Sequence, residues 1–140
     1  MATLQGAIVE LINVVEAVSG INYAPDEPSE QITVWPAAFA YATEGVSINE
    51  PPDLAKDLHN IQIAVVVPLN DYRQATLTLL PLYEPIRNAL IAHRNGRTSS
   101  HYITFGNITY SMGPIDWPQG DTMYAFIFNI QGVKIFNEIT

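Results

Sequence analysis

An α+β fold, with two helices packed on one mainly antiparallel sheet and the second helix kinked at a proline, follows from three features of the sequence. Two segments carry apolar residues at helical spacing, the second of them through two prolines. The run HNIQIAVVVP alternates with the two-residue period of a strand, and β-like runs separated by turn residues fill the C-terminal third. At 140 residues the chain has the length of a single domain, 1–140.

The first helix takes Thr3 as its N-cap and buries Leu4, Ile8, Leu11, Val15 and Val18, with Ala7 and Val14 beside them. Glu10, Asn13 and Glu16 fall on the opposite side, and Ser19-Gly20 supplies the stop. INYAPDEPSE, residues 21–30, has two prolines and three acids and reads as an exposed loop or arm. ITVWPAAFAYATEG predicts two short strands, or one strand interrupted by a bulge, and SINEPPDLAKD predicts a loop. A central strand then places Ile61, Ile63, Val65 and Val67 on one face and ends at Pro68.

The second helix, from Asp71 to about His93, has the stripe Tyr72, Ala75, Leu79, Tyr83, Ile86, Leu90, spaced by threes and fours throughout. At about 100° per residue, Pro81 and Pro85 fall opposite that stripe. Each removes an amide donor and crowds the carbonyl four residues earlier, so the carbonyls of Leu77 and Pro81 are left to water, where the loss is least costly. One helix convex to solvent keeps the stripe in phase, and two short helices with a proline in the second's first turn is the alternative. Arg94-Asn95-Gly96 stops the helix. YITF and ITYSM follow as strands, with turns at Gly113-Pro114 and at Pro118 to Asp121. The next strand puts Tyr124, Phe126, Phe128 and Ile130 on one face, and the tail, residues 131–140, forms a last edge strand or an arm.

Charged residues are only 14% of the chain, against about 25% in an average soluble domain. Much of the surface is therefore uncharged, covered by partner subunits or simply rich in neutral polar groups. The first 60 residues hold nine acids and the single base Lys56, and the remaining 80 hold five of each. That balance lacks the basic footprint of tight nucleic-acid binding. Asp26, Glu27 and Glu30 form either a solvated face or an acidic channel surface that repels passing DNA. MATLQGAIVELINVVEAV, broken by Glu10, Asn13 and Glu16, predicts neither a secretory leader nor a membrane span.

No catalytic, cofactor-binding or metal-ligating set is predicted. Cysteine is absent, and His59, His93 and His101 lack ligand spacing. No G-x-S-x-G elbow or glycine-rich phosphate cradle occurs. Asp53 and Asp57 could share one side of a helical turn but read more simply as a capped turn. Among the aromatic residues, Trp35, Tyr41, Trp117 and Tyr124 are the candidates for a subunit or partner interface, and Trp35 and Trp117, each preceding a proline, equally suit closure of the core.

The order of these elements resembles the tail terminator family of long-tailed bacteriophages. LHNIQIAVVVPLNDYRQATLTLLPLYEPIRNAL carries the resemblance, its alternating strand leading through Pro-Leu-x-Asp into a helix broken at a proline, together with ITYSMGPIDWPQGDTMYAFIFNI. The resemblance spans Leu4 to Ile130 and implies a non-enzymatic virion protein of the tail and neck, assembled in the host cytoplasm. Its form would be a ring, usually a hexamer, whose partners are its own copies, the tail tube protein and a head-completion or neck protein. Such a ring caps the tube, stops its polymerisation and offers a surface for head joining while DNA passes through. A head-completion or joining protein, and a small ligand-binding or enzymatic α+β domain, are the alternatives.

Overall fold

The structure, a computed structural model, describes residues 4–25, 34–50, 54–69, 71–93, 102–116 and 122–138. Thr3, Asp26, Glu27, Glu30, Asp53, the Arg94 to Gly96 stop, His101, Trp117 and the turn from Pro118 to Asp121 lie outside them.

Helix α1, Leu4–Glu16, buries Ala7, Leu11, Ile12 and Val15, and the chain leaves it through Gly20 at φ 104°, a backbone conformation glycine adopts without strain. Glu10 departs from the expectation. Its side chain is only 10% exposed and lies 3.4 Å from His93 Nε2 at the end of the helical segment that packs beside α1. A residue that helical phase sends outward is thus enclosed by a neighbouring helix.

Strands β1 (Ala37–Glu50), β2 (Leu54–Pro68), β3 (Tyr102–Thr104), β4 (Ile108–Asp116) and β5 (Thr122–Glu138) form one antiparallel sheet. Its order is β1-β2-β5, with β4 and β3 pairing successive stretches of the far side of β5. β1 is one strand rather than two, and its register shifts between Ala42 and Glu44. SINEPPDLAKD is largely strand, not loop: β1 reaches Glu50 and β2 starts at Leu54, with Asp57 paired to Ser47 rather than placed on a helical turn. The Gly113-Pro114 turn is likewise corrected, because both residues lie inside β4, opposite Ala125 and Tyr124. Proline fits there since β4 is an edge strand, where a missing donor breaks no ladder on the open side. The tail is neither an edge strand nor an arm up to Glu138, for it continues β5 between β2 and β3.

In place of one kinked helix, α2 (Tyr72–Leu79) and α3 (Tyr83–Ala92) are joined by a 3-10 turn, Leu80–Leu82. The Asp71 side chain caps α2 by accepting from the Arg73 amide at 3.0 Å. Pro81 cannot donate to Leu77, and the chain tightens so that the Tyr83 amide donates to the Leu80 carbonyl. Pro81 and Pro85 are exposed, as the phase of the stripe requires, and Ala75, Leu79, Ile86 and Leu90 are buried. Tyr72 is the exception in the stripe at 59% exposed.

All three helices cover one face of the sheet, meeting Ile61, Ile63, Val65, Phe126, Phe128 and Ile130 in the main core. The expected β5 face is therefore correct, with Tyr124 packed at its rim. A smaller cluster of Ala37, Phe39, Ala64, Val66, Met123 and Ala125 occupies the opposite face.

Leu79→Asp is expected to cost more than about 4 kcal/mol by burying an unpaired carboxylate. Pro81→Ala should change stability by less than about 1 kcal/mol, since the site is exposed and already lacks the bond. Denaturant unfolding of both variants is the check, and an unchanged midpoint for Leu79→Asp would place that residue outside the core.

Candidate interaction surface

Among the described residues, no group of three His, Asp or Glu side chains could hold a metal ion, and no helix is long and apolar enough to cross a membrane. The surfaces with distinctive chemistry are aromatic, and the sheet divides them between its two faces.

On the helix-free face the register aligns Ala37, Val66, Ala125 and Gly113 in one row, and Phe39, Ala64, Ile127 and Ser111 in the next. The third row is Tyr41, Gln62, Asn129 and Thr109, where the Gln62 amide donates to Asn129 Oδ1 at 2.6 Å. Trp35 and Tyr41 are half-buried against the small apolar cluster, together with Tyr23. Trp35 is held by its own carbonyl, which accepts from Asn22 Nδ2 at 2.6 Å, and its bond to Pro36 is cis. Tyr23 meets Phe39 edge-on with ring centroids 6.2 Å apart. Trp35 thus closes a cluster on one side of the sheet. Trp35 and Tyr41 share one cluster, and Tyr124 lies on the other face, edge-on to Tyr72 at 5.8 Å.

Where the three long strands cross Asn60, the sheet is irregular on both sides: register shifts between Ala42 and Glu44 in β1 and opposite the His59 to Ile61 stretch of β2. Asn60 ties this region together. Its Nδ2 donates to Glu44 Oε1 at 2.9 Å, its Oδ1 accepts from the Gly132 amide at 3.2 Å, and its carbonyl accepts from Thr43 Oγ1 at 3.1 Å. Gly132 has φ 67°, which favours glycine, and a Cβ at Gly45 would fall on the His59 ring.

The surface that sequence reasoning missed is on the helical side. Tyr83 stacks over Phe126 and Phe128 at 5.4 and 5.8 Å, and Tyr110 of β4 lies 4.8 Å from Tyr83 and 5.2 Å from Phe126. Leu80, Pro81, Tyr83, Glu84, Tyr110 and Phe126 line a groove between the 3-10 turn and the edge strand. Tyr110, Leu80, Leu77 and Tyr72 are 57%, 51%, 56% and 59% exposed, the four most exposed large apolar side chains among the described residues, and Leu80 and Tyr110 share the groove. The available signal was the alternation of Ile108, Tyr110 and Met112, which puts Tyr110 on the face that carries the helices.

Against known proteins, the chain matches no protein-family model and no curated sequence.

Burial holds the Tyr41 phenol above its ordinary value near 10. The folded chain therefore keeps a proton that the unfolded chain releases, so this contribution is fully present below about pH 10 and is lost as pH rises through the folded value. Tyr41→Phe should flatten the alkaline fall in stability, read from urea unfolding at about pH 8 and about pH 11. Equal slopes for variant and wild type would remove Tyr41 from that account.

Proposed function

We propose that the chain is a non-enzymatic structural protein of a bacteriophage virion, a tail terminator that assembles as a ring on the finished tail tube, stops its growth and presents the surface to which the head joins. The observation that carries this reading is a sheet with an open edge strand at each side. Among the described residues, β1 is paired with a strand only on its β2 side, with Tyr23 bridging Ala37 on the other, and β4 is paired with a strand only on its β5 side.

Open edges are a liability for a monomer and a means of assembly for a subunit. A protein that presents two different edges joins its copies head to tail, and such a contact closes into a ring when the rotation between neighbours permits. The low charge of the chain and the exposed Leu80 and Tyr110 of the groove beside β4 support the same reading, as does the resemblance of the element order to that of tail terminators. The acidic first 60 residues suit a ring through which DNA passes without adhering, because phosphate is repelled. The mechanism needs no reacting group: a closed ring with its edges used up gives the next tube subunit no strand to extend.

Negative-stain imaging of the purified protein mixed with growing tail tubes tests this proposal. One ring at a single end of each tube and arrested elongation are expected. Tubes that stay bare and grow to the same length with and without the protein would refute the terminator role.

A further inference from the structure

We infer that the groove between the 3-10 turn and β4 is a binding site for an arginine side chain presented by a partner polypeptide, with Tyr110 as its stacking face and Glu84 as its counter-charge. This goes beyond the ring reading and does not rest on it, because every residue involved belongs to one subunit.

The first observation is the chemistry of the lining. Leu80, Pro81, Tyr83, Glu84, Tyr110 and Phe126 surround a space of about 420 Å³. Half of these side chains are aromatic and, among the described residues, the single charged one is a carboxylate. An aromatic ring carries negative charge on its faces, so rings and carboxylate alike attract a cation. An anion would meet repulsion there, and a purely apolar ligand would strip water from Glu84 without replacing it.

The second is availability. Tyr83 is committed to the core, its ring lying over Phe126 and Phe128 at 23° and 5° from parallel. Tyr110 is 57% exposed and tilted 55° from Tyr83 and 35° from Phe126, so it keeps ring surface for a ligand. Glu84 is exposed in the first turn of α3, and its carboxylate makes no hydrogen bond or ion pair with another described residue. The base one turn further along the same helix, Arg87, is at a spacing that could pair with it. Arg87 donates instead to Asn88 Oδ1 at 3.1 Å.

The third is shape. A small-molecule site commonly encloses roughly 70–90% of its ligand, whereas Leu80 and Tyr110 are more than half exposed and Pro81 and Glu84 are exposed with them. A groove this open holds one side chain while the main chain that bears it stays outside. Arginine matches the lining part by part. Its methylene stem covers Leu80, its planar guanidinium stacks on Tyr110, and its fork of N–H donors serves the Glu84 carboxylate. Lysine offers the charge without the plane or the fork.

Titrating the isotope-labelled chain with the blocked tripeptide acetyl-Gly-Arg-Gly-amide, read by amide shifts in about 0.15 M salt, tests the assignment. Saturable shifts at Leu80, Tyr83, Glu84 and Tyr110 are expected, with a Kd on the order of 1 mM. Citrulline in place of arginine keeps the shape and loses the charge, and should abolish saturation. The lysine peptide should bind at least about twofold more weakly. Glu84→Gln and Tyr110→Leu should each weaken the arginine peptide about two- to fivefold, with amide spectra unchanged outside the groove before peptide is added. Citrulline or lysine peptides that bind as tightly as the arginine peptide would overturn the guanidinium assignment. No saturable shift in the groove up to ~50 mM peptide, or full-strength binding in both variants, would overturn the site itself.

Discussion

The pairing of β2 with β5 is the interaction on which the rest of the structure depends. It runs from Leu54 opposite Glu138 to Pro68 opposite Met123, joining residues 55 to 84 positions apart in the chain, and β5 carries β4 and β3 on its other side. Closing so long a loop is entropically costly and must be offset by burial along both faces of the pair. Ile61, Ile63 and Val65 beside Ile130, Phe128 and Phe126 supply it on the helical face, each such side chain contributing about 1.5–3 kcal/mol. The helices have a surface to cover only because this register puts the bulky residues of both strands on the same side. Tyr83 lies flat on Phe126 and Phe128, so the 3-10 turn caused by Pro81 is seated on the central strand rather than over open solvent.

Local patterns revealed the elements whose identity is set locally. The stripe through Ala75, Leu79, Ile86 and Leu90 survives two prolines because both project outward, and the alternation of β2 from Ile61 to Val67 marks a strand buried on both faces. The strand extensions were not legible. Glu50-Pro51-Pro52-Asp53 reads as a loop, yet the strands continue to its very edges because each is held by a distant partner, β2 by β5 above all. Gly113-Pro114 has turn composition but sits on an edge, where a strand tolerates it. Glu10 was misplaced for a similar reason, since helical phase says which way a side chain points and not what stands there.

The candidate surface was legible only in part. Trp35 and Tyr41 do share one cluster, on the helix-free face, and Tyr124 belongs to the other side. The groove framed by Leu80, Tyr83 and Tyr110 joins residues from a helix connection and an edge strand, and no spacing in the sequence encodes that approach. Composition carried more of the functional argument than motif. The chain has few charges and gathers nine of its fourteen acids in its first 60 residues.

The β2–β5 pair is the core of the subunit, and in the proposed ring the β1 and β4 edges are completed by neighbouring copies. Amide hydrogen exchange, compared between dilute and assembled protein, tests it most directly. Slow exchange in β2 and β5 in both states, with new protection on assembly along β4 and β1, is the predicted result. Protection that appears on assembly elsewhere and leaves β1 and β4 exchanging as before would contradict it.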